Sequence, residues 1–111
     1  MFEKVASLLG LARRAGQVVA GSAAGREALA QGKAHLVIVA EDAGRSTRAD
    51  FLTEGQRKGV PVKFFSTKGK LGAALGTDPK AVVVIKDAGF AQEIEKILSG
   101  KGEVGADQMG V

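Results

Sequence analysis

Three continuous apolar, β-branched runs constrain the fold more than any other feature: "LVIVA" from Leu36 to Ala40, "VPVKFF" from Val60 to Phe65 and "AVVVI" from Ala81 to Ile85. A strand with one wet face alternates apolar and polar residues, whereas a strand covered on both faces reads as an unbroken apolar segment. The runs therefore predict a sheet buried between two layers, with "QVVAG", Gln17 to Gly21, as a shorter fourth strand.

Helical patterns fill the gaps. Phe2, Val5, Leu8, Leu9 and Ala12 make an apolar stripe that Arg13, Arg14 and Gly16 close, basic residues and glycine both favouring a helix C-terminus. A second helix is expected with Ser22 as N-cap and Gly32 as stop. A third starts at Ser46 or Thr47, buries Ala49, Phe51 and Leu52, and ends before Gly59. A fourth starts near Thr67, buries Leu71, Ala74 and Leu75, and stops at Gly76; the fifth shows Phe90, Ile94, Ile97 and Leu98 on one face and stops at Gly100. Alternation of helix and strand predicts an α/β protein, a three-layer α/β/α sandwich with about five helices. A chain of 111 residues, 45 % of them hydrophobic, suits one domain over residues 1–100. The tail "KGEVGADQMGV" has no periodicity, so residues 101–111 are expected to be disordered.

Composition narrows the chemistry. There is no cysteine and a single histidine, His35, at the mouth of a strand, which leaves little for a metal site and nothing for a Ser-His-Asp arrangement. His35 is expected at the surface. Glu41 and Asp42 follow a predicted strand, where α/β proteins place functional groups, but solvated loop acids are the simpler reading. "KGKLGAALG", Lys68 to Gly76, fits neither the Walker spacing nor the dinucleotide fingerprint, and Lys68 and Lys70 read as a solvated helix start. No cofactor is expected. The N-terminus lacks the form of a secretory signal and no segment is long and apolar enough to span a membrane, so a cytoplasmic location is expected.

Sixteen Lys and Arg against twelve Asp and Glu give a formal charge of +4, which suits an anionic partner such as RNA. Five phenylalanines are the only aromatics; Phe2, Phe51 and Phe90 fall on helical stripes, and at least one of Phe64 and Phe65 must face the core, so base stacking is not the expected mode. Attention turns to "GSAAGRE", Gly21 to Glu27, where a helix begins with almost no side chains. Its unsatisfied N–H groups could take a phosphate or a base-edge acceptor. Gly25 costs the helix about 1 kcal/mol relative to Ala, which calls for a reason such as close approach. Packing of Ala23, Ala24 and Gly25 under a neighbouring helix is an equal alternative.

The stretches "LLGLARRAGQVVAG", "GKAHLVIVAEDAG", "VPVKFF", "KLGAALG" and "VVVIKDAGFA", in this order from about Phe2 to Leu98, resemble the kink-turn RNA-binding ribosomal proteins, the L-seven-Ae and L-thirty-e family, with its small bacterial YlxQ-type members. The resemblance implies a four-stranded mixed sheet, no catalysis, and a sharply bent RNA held at the start of the second helix and two nearby loops. By position it implies RNA contacts at Gly21 and Ser22, at Asp42 after the second strand, and at Thr77, Asp78, Pro79 and Lys80 before the last strand. Archaeal members carry Asn and Glu after the Gly-polar pair and Lys three residues later; here stand Ala23, Ala24 and Glu27. Ala24 and Gly25 remain as backbone contacts, while Arg26 and Lys33 are candidate phosphate ligands. The expected function is non-enzymatic binding of structured RNA, ribosomal RNA among the candidates. The alternatives are a fold relative that lost RNA binding and became a protein-interaction module, or an α/β enzyme fragment.

Overall fold

A computed structural model describes residues 1–99; the expected disorder of residues 101–111 and the stop at Gly100 lie outside them. In chain order the elements are α1 (Phe2–Arg14), β1 (Val18–Ala20), α2 (Ser22–Ala30), β2 (Leu36–Val39), α3 (Arg45–Lys58), β3 (Val62–Phe64), α4 (Lys68–Ala74), β4 (Val82–Ile85) and α5 (Ala88–Ser99). Four strands form one sheet in the order β1-β4-β2-β3. It is mixed: β4 runs antiparallel to both β1 and β2, and β2 runs parallel to β3. Helices α2 and α3 pack together on one side, and α1 packs with α4 and α5 on the other, which makes the α/β/α sandwich.

Burial explains the unbroken apolar runs. Every residue of β2 and β4 is fully buried, from Leu36 to Val39 and from Val82 to Ile85, each large side chain contributing about 1.5–3 kcal/mol relative to exposure. The core also takes Val5, Leu9, Leu29, Phe51, Leu71 and Ile94. The edge strands are only half covered, and β3 is three residues long where the sequence predicted a strand from Val60 to Phe65.

The third helix departs from expectation. Gly44 is its N-cap and Arg45 its first residue, one before Ser46, and Ala49 and Leu52 are exposed. Only Phe51 and Gly55 are buried, because α3 lies across β2 and the short edge strand and presents a narrow stripe to them. A Cβ at residue 55 would meet the Val60 carbonyl at 2.9 Å and collide with the Val62 side chain. The fourth helix begins as predicted: Thr67 caps it, its Oγ1 accepting from the Lys70 amide at 3.2 Å.

Register decides which loops meet. Ala20 faces Val83, Val39 faces Val82, and Val39 also faces Phe64. The ends of β1, β2 and β3 therefore gather beside the start of β4. Backbone bonds fasten this end: Gly21 N to Val82 O at 2.8 Å, Ala40 N to Ala81 O at 2.8 Å, Glu41 N to Ser66 O at 2.8 Å and Lys80 N to Lys68 O at 3.0 Å.

Within α4, Gly72 has no room for a side chain, since a Cβ would collide with the Asp78 carbonyl and come within 2.9 Å of Pro79 Cα. Gly69, in the same helix, faces open space. Gly72→Ala is expected to lower stability by about 1–3 kcal/mol, the usual cost of overpacking. Gly69→Ala should raise it by about 0.4–1 kcal/mol through the unfolded chain's lost freedom. Urea unfolding of the pair checks this; equal effects would mean that the helix and not the 77–80 loop sets the response.

Candidate functional site

Gly21 turns the chain from β1 into α2 with φ 102° and ψ 154°, a conformation essentially confined to glycine. Its N–H is already bound to β4, and its carbonyl accepts the first helical bond, from Gly25 N at 2.9 Å. The amides of Ser22, Ala23 and Ala24 precede that first bond, and no side chain caps them. Gly21, not Ser22, is thus the N-cap, and Ser22 is the first helical residue. The left-handed turn that only glycine makes cheaply fixes the boundary one residue earlier than the side-chain chemistry predicted.

The small residues divide. Ala23 is exposed and Ser22 and Ala24 are half-buried, so the backbone here is reachable. Gly25 is buried: a Cβ there would lie 3.1 Å from Val82 Cγ1 and 3.2 Å from the Phe51 ring. Its missing side chain answers to packing under the helix and its amide is spent inside the helix, so of the two readings of Gly25 the structure supplies a reason for the packing one, a seat for α2 on the core.

Arg26 extends from this start toward α3. Its Nη2 pairs with Asp50 Oδ2 at 3.1 Å, with side chains 49 % and 54 % exposed, and its guanidinium carbon lies 5.5 Å from the centre of the Phe51 ring. An exposed pair of this kind contributes at most about 1 kcal/mol and can exchange partners.

The 77–80 loop is organised around Asp78. Thr77 Oγ1 donates to its Oδ1 at 2.8 Å and Lys80 Nζ stands 3.3 Å from the same oxygen. The Thr77 hydroxyl first, and the Lys80 ammonium second, hold the Asp78 carboxyl below its ordinary range. Asp42 is committed to structure as well, Oδ1 accepting from the Lys68 amide at 2.9 Å and so clothing the start of α4.

Not every expected residue reaches this end. Lys33 follows α2 and its amide bonds back to Ala28 O at 2.9 Å, so it precedes β2 at the opposite end of the sheet. Beside it His35 is exposed and its Nδ1 lies 2.8 Å from Lys86 O. Gly21, Ser22, Ala24, Arg26, Asp42 and the loop from Thr77 to Lys80 lie toward one end; Lys33 lies at the other, because a single helix separates it from Gly21. Two further residues belong to this end without being expected there. Ser66 takes φ 64° and its Oγ is buried without a partner, and Lys68 joins Asp42 to Lys80 through its backbone. No sequence pattern announces a left-handed serine, whereas Lys68 reads in the sequence as a solvated helix start and its backbone links to Asp42 and Lys80 do not show there.

Among the described residues no three His, Cys, Asp or Glu gather as a metal site, and no helix is long and apolar enough to cross a membrane. The end of the sheet instead offers backbone donors and exposed Arg26, Lys68 and Lys70 side chains.

Known proteins share this fold and resemble the chain in sequence. Residues 3–95 match the model of the ribosomal protein L7Ae/L30e/S12e/Gadd45 family. The chain is 33 % identical over 91 residues to the RNA-binding protein YlxQ of Bacillus subtilis (strain 168), covering 82 % of this chain and 91 % of that one. With the RNA-binding protein YlxQ of Enterococcus faecium it shares 29 % identity over 98 residues, 88 % and 94 % of the two chains. A Bacillus halodurans C protein described as of unknown function superposes with a TM-score of 0.84 at 35 % identity, over 86 % of this chain and 97 % of that. The Giardia lamblia 15.5kD RNA binding protein superposes with a TM-score of 0.73 at 26 % identity, over 89 % and 84 %. With a family match across most of its length and YlxQ-type proteins as relatives, this chain belongs to the L7Ae/L30e/S12e/Gadd45 ribosomal protein family.

Proposed function

We propose that the protein is a non-enzymatic RNA-binding protein of the bacterial cytoplasm that grips a sharply bent, kink-turn-like RNA between the start of α2 and the 77–80 loop, ribosomal RNA being the natural candidate. The observation that carries this reading is the open first turn of α2, with its uncapped amides and exposed Ala23 at the same end of the sheet as Thr77 to Lys80. Membership of the family and the RNA-binding names of the YlxQ relatives and of the Giardia neighbour support it. Phosphate oxygens would be received by the amides of Ser22 to Ala24, with Arg26 leaving Asp50 to pair with the backbone. Ala23 and Ala24 have no base-edge donors of their own, so contact through the backbone would position the RNA more than read its sequence.

Ala23→Asp tests the placement without harming the fold. An acid in the first turn favours the helix by about 0.3–1 kcal/mol, yet it sets a negative charge against the RNA backbone. Binding of a kink-turn RNA, followed by fluorescence anisotropy, should weaken by about tenfold or more, while Lys33→Gln at the far end leaves it unchanged. The reverse pattern would move the site to the other end of the sheet. Substitution at Gly21 would be a poorer probe because its backbone would be strained.

Arg26→Ala should reduce the slope of log K against log salt by about 0.7–0.9, one phosphate's share. An unchanged slope would remove Arg26 from the phosphate ligands.

Ala23→Asn combined with Ala24→Glu supplies the side chains that archaeal relatives carry. The preference for a kink-turn over a straight duplex should grow by about 1–3 kcal/mol for each base edge newly hydrogen-bonded. Should neither the original protein nor this variant bind any RNA, the protein-interaction reading takes its place.

A further inference from the structure

At the other edge of the same sheet end lies a groove that the proposed grip does not use. Arg45, Arg48, Ala49, Leu52 and Phe64 line a depression of about 380 Å³ between α3 and β3, within the range of small-ligand sites, about 300–1,000 Å³. Leu52 is 41 % and Phe64 38 % exposed, an uncommon display for large apolar side chains of this protein. Both charges on the groove are positive, and neither arginine has an ion-pair partner among the described residues. Arg45 and Arg48 also gain nothing from their own helix. They stand near the N-terminus of α3, whose first turn has no acid and whose dipole opposes cations. An exposed ring beside two unpaired guanidinium groups suits a ligand that is flat and apolar at one point and anionic on either side of it.

We propose that this groove is a second nucleic-acid contact, in which one unpaired base stacks on Phe64 against Leu52 while the flanking phosphates pair with Arg45 and Arg48. Base stacking on an aromatic ring with cations alongside is how single strands are held without sequence preference. The register places the groove within reach of the first grip: Phe64 faces Val39, which faces Val82, and three inter-strand spacings, about 14 Å, separate the outer strands. A strand leaving the bent RNA would cross the loops at the start of β4 and the end of β2 to arrive there. A protein partner or second copy fits less well. Two apolar side chains fall far short of the roughly 800 Å² per partner of a standard interface, and the like charges of two copies would face each other.

The continuity with a bent RNA rests on the reading given under Proposed function; the stacking itself does not, and two probes separate them. One is a fluorescein-labelled single-stranded RNA of about six nucleotides, within the usual span of such sites. The other is a kink-turn RNA, made blunt and with the same single strand appended. The full-length protein should bind the extended RNA about tenfold more tightly than the blunt one. Phe64→Ala and the double variant Arg45→Gln, Arg48→Gln should each abolish that gain and the binding of the free single strand, leaving blunt-RNA affinity as it was. Phe64→Leu, which keeps apolar area but removes the ring, should lose most of the gain too. The exposed arginines make the double variant safe for folding, and thermal unfolding of the Phe64 variants checks theirs.

An extension that adds nothing, or a gain that survives Phe64→Ala, overturns the groove. So does sedimentation showing a concentration-dependent dimer that Phe64→Ala dissolves while RNA binding is unaffected, which would make the face a protein interface. If the single strand binds through Phe64 but the kink-turn is not preferred over a straight duplex, the groove stands and the bent-RNA reading falls.

Discussion

Insertion of the last strand between the first two, antiparallel to both, is the constraint on which the rest of the molecule depends. Because β4 runs against β1 and β2, the loop that introduces it arrives where those strands end. Had β4 been added at an edge in parallel, Thr77 to Lys80 would stand at the opposite end from Gly21. The Gly21 to Val82 bond and the Ala40 to Ala81 bond, both 2.8 Å, fix that meeting on either side of β4. Full burial of Val82 to Ile85 then makes the arrangement expensive to undo.

The seat of α2 depends on the same strand. Val82 and the Phe51 ring occupy the space where a side chain at residue 25 would lie, so the helix can approach the sheet closely. Close approach holds the first turn in a fixed place, with Ala23 outward and Gly25 inward. The opening residues of α2 therefore have two different reasons for being small. Gly25 is small because the core is full beneath it; Ala23 is small although it is exposed, and that contrast separates packing from an open surface.

Much of this is legible in the residues. The unbroken runs at Leu36 to Ala40 and Ala81 to Ile85 mark the two central strands because burial on both faces removes any need for alternation. Thr67 and the α1 stripe are readable for similarly local reasons. What escapes such a reading is set by neighbours distant in sequence. Phe64 and Leu52 are apolar by composition and exposed by position, since an edge strand of three residues cannot cover them. Gly25 stands out as costly in a helix, but Val82 and Phe51, which explain it, come close only through the sheet. Lys33 and Arg26 look alike as basic residues of one segment, yet the length of α2 assigns them to different places. Their roles follow from the topology and not from their spacing.

Charge at the candidate site is held in weak local pairs. Arg26 rests on Asp50, Lys80 on Asp78, and Asp42 on the amide of Lys68. Arg26, Asp50 and Asp78 are exposed and Lys80 is half-buried, so little free energy opposes an exchange of partners at Arg26 and somewhat more at Lys80. Such pairs restrict the orientations of long side chains before any ligand arrives and so reduce the entropy lost on binding. Asp42 differs from them: its carboxylate supports the start of α4, and moving it would leave an amide bare. An anion approaching this end would therefore meet a fixed backbone frame with Asp42 built into it and cations that can turn toward the ligand. The frame is set by β4 and Gly21, and any affinity for an anion would fall to the Arg26 and Lys80 side chains, whose present partners are local ones.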